Sequence, residues 1–423
     1  MKRLALAALF ALPVCLLYAR AGAEICIGIV DVLFIAELAV KRDWAVLKQP
    51  WIVIAMAWWL WEVFCSLPIP AAGFGVSGWA GLAEAVLLIR LIVLAAALQS
   101  WQLIAPAARH ALWVLIGLAV LWIGVESWQQ FLTGRNIFGD PPWPRGGMLT
   151  GPFFKPRAGT PYAHLLLIAL LPVIMPMLAR KEVWPRIAAV GLVVLSAVTI
   201  VLIGQRTPIM LTILAFAASA FFIPRIRVVA LTGLIAGAGV LAAAPLIAPR
   251  TYYRDVTYFL YQMSHFAASD YGQLYTRAVT MAVVSPWHGY GFDGFRTACS
   301  NPLFDPGIPS LFLPPTNPGL GACNLHPHNF YLNALTDGGL PGMLLFAALN
   351  LAWLIALARG LRRNPDPLRV GLFAGVLTYA WPLASADNFA TLPHAGWLFL
   401  ILGLGLAAAH IPPNATVSEP RNA

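Results

Sequence analysis

The sequence predicts an all-α polytopic membrane protein with about 12 transmembrane helices, and three observations carry that prediction. Hydrophobic residues fill 60% of the 423 positions and charged residues only 10%, whereas a soluble domain carries about 25% charged residues. The apolar residues run in unbroken windows of about 20 instead of alternating, which favours helices over a β-barrel. The basic residues are shared unevenly between the links that join those windows. A soluble enzyme is excluded by the first observation. The formal net charge of +10 then bears on membrane sidedness, and no nucleic-acid partner is expected.

Taken in order, the windows read as spans at 4–20, 23–40, 51–66, 79–98, 111–127, 161–179, 187–203, 207–223, 228–247, 339–358, 369–385 and 395–410. The first two are separated only by Arg20 to Ala23 and read as a helical hairpin. Lys2-Arg3, the apolar stretch and Ala19-Arg20-Ala21 also fit a cleaved signal peptide, which would leave the later topology unchanged. With the N-terminus on the inner side, the inner links and the tail hold sixteen Lys and Arg residues, from Lys2 and Arg3 through Arg180, Lys181 and Arg186 to Arg421. The much longer outer segments hold ten, and Arg90 falls inside a span. The positive-inside rule therefore places both termini in the cytoplasm. The chain divides into spans 1–9 (1–247), a large outer loop (248–338), spans 10–12 (339–410) and a cytoplasmic tail (411–423) that reads as disordered.

Long loops are usually functional, and two stretches, about 128–160 and 248–338, are the long outer pieces. Within the second, Thr251–His265 and Tyr271–Val284 both read as helices. Tyr252, Tyr253, Tyr258 and Tyr261 suit either the membrane interface or sugar stacking. Gly289-Tyr290-Gly291 reads as a turn, and a Pro-rich excursion runs from Pro302 to Pro318. Cys299 and Cys323 bracket that excursion and face an oxidising compartment, so a disulfide is expected, worth roughly 3 kcal/mol in the chain-entropy account. Cys15, Cys26 and Cys65 lie in apolar runs and read as core packing.

A dense polar cluster follows, from Asn324 through His326, His328 and Asn329 to Asp337. Histidine is suited to proton transfer near neutral pH. His326 and His328 flank Pro327 and would point in different directions in an extended chain. The outer basic residues Arg135, Arg145, Lys155, Arg157, Arg206, Arg250, Arg254, Arg277 and Arg296 oppose the positive-inside rule, which suggests an anionic partner that arginine forks recognise. Arg206 stands out in the short turn Gly204-Gln205-Arg206-Thr207-Pro208, where it either snorkels to headgroups or binds a ligand. Asp31, Glu37, Glu62, Glu84, Glu126 and Arg90 lie inside spans and read as structural pairs or cavity lining. Glu84 and Arg90, six apart, do not form a helical pair. No metal-ligand spacing is present, and no cofactor is expected.

Three pieces together resemble the O-antigen ligase and O-antigen polymerase superfamily of bacterial envelope glycosyltransferases. They are Gln205-Arg206-Thr207 at an outer helix turn; Arg277 followed by Ser285-Pro286-Trp287-His288-Gly289-Tyr290-Gly291-Phe292-Asp293-Gly294-Phe295; and His328-Asn329-Phe330-Tyr331-Leu332 running to Asp337-Gly338-Gly339-Leu340-Pro341-Gly342. The last is similar to the family pattern HNxxLxxLxExGxxG, with Asp337 where Glu is usual. The resemblance covers about 200–345 and implies a GT-C-like membrane fold whose large periplasmic loop contains short helices.

It also implies an O-antigen ligase of the bacterial inner membrane, active on the periplasmic face in lipopolysaccharide biosynthesis. Such an enzyme transfers polysaccharide from undecaprenyl diphosphate to lipid A–core oligosaccharide. Under this resemblance His328, which Asn329 favours over His326 as the alternative, is the general base, and Arg206 and Arg277, with Arg254, Lys155 and Arg157, hold the diphosphate. His326, Asn329, Asp337, Asp387 with Asn388, and His394 are candidates for the acceptor side or for support. Direct attack implies inversion, and arginines in place of a DxD motif imply metal-independent transfer. An O-antigen polymerase of the same superfamily is the alternative within the family. A lipid-linked glycan flippase is the alternative of another class, although no internal repeat supports a transporter.

Overall fold

The computed structural model describes residues 1–69, 73–144, 146–384 and 389–410. The expected tail (411–423), Arg145, and Asp387 with Asn388 lie outside the described residues. Among the described residues the regular structure is helical, apart from a single bridge between Ile308 and Leu313. The helices are α1 (Lys2–Tyr18), α2 (Arg20–Lys41), α3 (Pro50–Cys65), α4 (Gly78–Leu87), α5 (Ile89–Ala97), α6 (Pro106–Thr133), α7 (Gly159–Ala179), α8 (Val183–Ile203), α9 (Arg206–Phe222) and α10 (Arg227–Ile247). The short α11 (Pro249–Tyr252), α12 (Tyr258–Ser264), α13 (Asp270–Val284) and α14 (Gly294–Ala298) follow. Three apolar helices, α15 (Phe330–Ala358), α16 (Pro367–Ala380) and α17 (His394–Ala409), complete the described fold.

Among the described residues, six helical stretches are long and apolar enough to cross a membrane: Gly78–Gln102, Pro106–Thr133, Gly159–Ala179, Val183–Ile203, Pro224–Ile247 and Phe330–Ala358. Pro50–Cys65, Arg206–Phe222, Pro367–Ala380 and His394–Ala409 are shorter apolar helices. The described residues thus form an all-helical membrane protein, and each of the twelve apolar windows contains a helix.

Packing explains the order of the layers. From His394 to Ala407 every residue of α17 is buried, the behaviour of a helix that is apolar all round. Its neighbour α16 lies against α7 through Gly371 and Gly375, spaced four apart. A Cβ at these positions would come within 2.6 Å of the Leu167 carbonyl oxygen and 2.8 Å of that of His164. Small residues at this spacing let membrane helices approach closely, because lipid supplies no hydrophobic drive between them.

Three of the charges within the bundle find local partners. Arg90 forks onto Glu24, with Nε–Oε2 at 2.8 Å and Nη2–Oε1 at 2.9 Å. Glu24 was not among the spanning acids singled out from the sequence. Glu37 pairs with Lys41 one turn on, at 2.7 Å, and Glu126 accepts the Ile137 amide at 2.9 Å. Asp31 and Glu62 are buried and their carboxyl oxygens have no hydrogen-bond partner among the described residues.

Helix α15 starts at Phe330, nine residues before the apolar window that announces it, and is broken at Gly339 (φ 65°, ψ −164°). Pro341 has no N–H to give the Asp337 carbonyl, and the break at Gly339 also frees the Thr336 carbonyl. The turn at 286–291 takes up these groups. Tyr290 N donates to Thr336 O (2.8 Å), Gly291 N to Asp337 O (2.9 Å), and Leu340 N to Pro286 O (2.7 Å). Trp61 Nε1 donates to Gly338 O at 2.7 Å. Broken backbone of this kind is tolerated at membrane depth only where protein covers it. Gly339 has to be glycine: its φ/ψ is open essentially to glycine alone, and a Cβ would lie 2.6 Å from Pro286 O.

The expected helix over Thr251–His265 is present as far as Ser264, with a π turn at Tyr253–Thr257 between α11 and α12. Such a turn inserts an extra residue and re-aims the side chains around it.

Gly339→Ala is expected to destabilise the protein by at least the ~1–3 kcal/mol of a forbidden backbone conformation. Gly191→Ala, whose Cβ would meet nothing within 4 Å, is the control. Thermal midpoints in detergent check this: a fall for Gly339→Ala alone is the expected result, and equal midpoints contradict the clamp.

Candidate active site

One end of the bundle opens into a cleft of about 610 Å³. Its walls come from distant parts of the sequence: Gln205, Arg206 and Thr207 at the start of α9; Arg254 on the π turn; Phe259 and Gln262 on α12; Tyr271 and Tyr275 on α13; His328 before α15; and His394 at the start of α17. Arg206, Arg254 and His328 are thereby brought together. Arg206 is the first residue of α9, so the positive end of that helix faces the same space. Gln205 anchors the turn by donating Nε2 to Pro156 O at 2.5 Å. Arg206 donates Nη1 to Gln262 Oε1 at 2.7 Å, and its guanidinium lies 5.4 Å over the Phe259 ring.

Arg254 donates Nε and Nη2 to Asp255 Oδ1, at 2.8 and 2.5 Å. Burial pushes the Arg254 guanidinium down from its ordinary range, against the pull of Asp255, and the nearby Arg206 lowers it further. Burial likewise pushes the Asp255 carboxyl up, although Arg254 and Arg206 both draw it down. For both partners desolvation outweighs pairing, as it does for many buried ion pairs.

His328 is placed by its neighbour. Asn329 caps α15: Oδ1 accepts the Tyr331 and Leu332 amides at 2.9 and 3.1 Å, while Nδ2 donates to Pro382 O at 2.6 Å. This is the ordinary work of an N-cap asparagine, and it makes Asn329 a support for the histidine. His328 itself has φ 53°. That left-handed turn corrects the expectation of divergent histidines, since the His326 and His328 rings meet edge to face at 4.4 Å. Asn324 Nδ2 lies 3.2 Å from His328 Nε2. With the amide donating, Nε2 accepts, and an unprotonated ring nitrogen is what a general base requires.

Other expected residues lie elsewhere. Arg277 is 0% exposed, and each of its three side-chain nitrogens is bonded within the protein. It donates Nε to Cys299 O (2.7 Å), Nη1 to Asp305 Oδ1 (2.7 Å) and Thr316 Oγ1 (3.1 Å), and Nη2 to Asn301 O (3.3 Å), and it lies over Phe304 at 5.6 Å. With no fork left for a phosphate, its place as a diphosphate ligand is corrected to that of a pin for the Pro-rich excursion. Cys299 and Cys323 are bonded to each other beside it, within a small core of Leu274, Ala278, Met281, Phe295 and Phe304. Lys155 and Arg157 are exposed and flank Pro156 at the rim without lining the cleft. Asp337 is buried at the α15 break, accepting Asn333 Nδ2 (2.5 Å) and Gly294 N (3.3 Å). It serves the clamp and does not face the cleft.

Sequence reasoning missed Gln262, Tyr271 and Tyr275 as lining residues. The i, i+4 spacing of Tyr271 and Tyr275 on α13 was the signal available. It also missed His164, which lies behind His394 (rings 5.5 Å apart), stacks on Tyr379 at 3.7 Å and contacts Thr378 Oγ1 through Nδ1 at 2.7 Å. A lone histidine in an apolar helix carries no sequence signal.

Residues 191–347 match the family model described as O-antigen ligase. The match supports assignment of this segment to the O-antigen ligase family. It runs from within α8 to beyond the break in α15 and contains Arg206, Arg254, Arg277, His328 and the turn at 286–291. No curated protein matches the chain. The family indicates a function of the O-antigen ligase or polymerase type, carried out by a glycosyltransferase-like enzyme.

Replacing Arg277 by Lys loses the fork and is expected to loosen 299–316, at a cost on the order of 3 kcal/mol. Hydrogen exchange on ligand-free protein checks this. Faster exchange in that segment is expected, whereas a residue that served only to bind ligand would leave it unchanged.

Proposed function

We propose that the chain is an O-antigen ligase. On this reading it transfers polysaccharide from undecaprenyl diphosphate to a sugar hydroxyl of lipid A–core oligosaccharide. The reaction takes place at the periplasmic face of a bacterial inner membrane. All twelve apolar helices span the membrane, both termini are cytoplasmic, and the segment between α10 and α15 is periplasmic. The positive-inside distribution of Lys and Arg supports that orientation. The observation that carries the proposal is the convergence of Arg206, Arg254 and His328, far apart in sequence, on one cleft beside the start of α9.

The chemistry follows from these groups. The acceptor hydroxyl oxygen attacks the anomeric carbon while the bond from that carbon to the diphosphate oxygen breaks. The hydroxyl proton passes to His328 Nε2, displacing the Asn324 contact. Negative charge collects on the departing lipid diphosphate, where Arg206, Arg254 and the α9 terminus oppose it. One displacement inverts the anomeric centre. The donor is already activated by its diphosphate, so no nucleotide is required, and the arginines take the charge-neutralising part that a divalent cation plays elsewhere. The phenol rings of Tyr271 and Tyr275 offer faces on which sugar rings stack.

Reconstitution of the purified protein with undecaprenyl-diphosphate-linked glycan and lipid A–core tests the reading. Wild type shifts lipid A–core to higher mass and does so in EDTA. His328→Ala is expected to lower the rate by ~10²–10⁴ and Arg206→Ala by ~10²–10³, at normal abundance in the membrane. Longer lipid-linked glycan with unmodified lipid A–core identifies a polymerase instead. Full activity of His328→Ala removes His328 as the general base, and wild type that yields neither product contradicts the enzyme reading and leaves a transporter.

A further inference from the structure

We propose that Asp255 is a resting counter-ion that holds the Arg254 guanidinium in a stowed position, which an incoming diphosphate must take over. The inference rests on reading the cleft as the diphosphate site and adds the residue that sets affinity there.

The geometry of Arg254 is the ground for it. Nε and Nη2 are both spent on Asp255 Oδ1. Nη1 is buried and has no hydrogen-bond partner among the described residues. The paired edge of the fork is therefore turned to Asp255 and Nη1 is buried, although the side chain lines the cleft. The stowed position is shaped by glycines: a Cβ at Gly146 would lie 2.7 Å from Arg254 Cδ, and one at Gly204 would lie 3.3 Å from Nη2. Arg254 also borders a second groove of about 600 Å³ with Arg250 and Tyr253, so there is room for the side chain to swing. Asp255 is almost wholly buried, its Oδ2 lacks a partner among the described residues, and Arg206 acts on it electrostatically.

A carboxylate against an arginine cancels much of the attraction that arginine offers an anion. Only a ligand with more charge and a bidentate edge displaces it, which favours a diphosphate over a monophosphate. After transfer the product diphosphate carries one more negative charge than the glycosylated donor. Re-formation of the Arg254–Asp255 pair then helps it leave.

The test is a double-mutant cycle on the full-length protein in detergent, measuring Kd for undecaprenyl diphosphate and for undecaprenyl phosphate. Asp255→Asn keeps the shape and removes the charge. It is expected to bind the diphosphate about tenfold more tightly, equivalent to ~1.4 kcal/mol, to discriminate less against the monophosphate, and to turn over more slowly because release slows. In an Arg254→Gln background the same change is expected to have no effect. A misfolded variant does not gain affinity, so tightening cannot come from damage. Unchanged or weaker binding by Asp255→Asn overturns the proposal, weaker binding making Asp255 an orienting residue. Equal tightening without Arg254 overturns it as well. Failure of wild type itself to bind either lipid removes the cleft reading and this proposal with it.

Discussion

Three backbone hydrogen bonds between the break in α15 and the turn at 286–291 set the geometry on which the rest of the site depends. A transmembrane helix that stops hydrogen-bonding to itself has to find partners in the protein. Here Thr336 O, Asp337 O and Leu340 N find them in Tyr290, Gly291 and Pro286. The first half of α15 is thereby tied to the outer segment, and its N-terminus carries Asn329 as cap and His328 as the residue before it. The proposed base thus stands on a capped and clamped helix end, the kind of support that precise positioning of a reacting group requires.

A second tie secures the outer segment from within. Arg277 gathers the carbonyls of Cys299 and Asn301, the hydroxyl of Thr316 and the carboxylate of Asp305, and the 299–323 disulfide closes the same stretch. A segment with so small a core of its own needs ties of this kind, because its apolar burial is modest. The family-like motifs therefore divide the labour. Gln205-Arg206-Thr207 and His328 face the cleft, whereas Arg277, the turn at 286–291 and Asp337-Gly338-Gly339 hold the frame that keeps them there.

That division explains what was legible in the sequence. Twelve apolar windows locate the long helices because burial in lipid or in a helical core leaves a continuous apolar record. Arg206 is legible because a basic residue in a short turn opposes the charge rule, on the proposed orientation that makes this turn an outer one. The start of α15 is not, since Phe330–Gly338 mixes Asn333, Thr336 and Asp337 into a helix whose polar groups are satisfied by tertiary partners. The burial of Arg277 is likewise invisible: a buried arginine and a ligand-binding arginine are the same letter, and only Cys299, Asn301, Asp305 and Thr316 folding around it decide between them. The approach of His326 to His328 depends on a single left-handed residue, which the sequence does not announce for a histidine.

In the proposed reaction the departing diphosphate lies between the α9 terminus and the capped end of α15, at Arg206 and His328, with Arg254 joining when it leaves Asp255. The most direct measurement is a cryo-EM map of the protein with undecaprenyl diphosphate bound. Diphosphate density within hydrogen-bonding reach of Arg206, in the cleft that His328 lines, is the predicted result. Density instead against Arg250 in the neighbouring groove, or at an Arg277 released from Asp305, would contradict it.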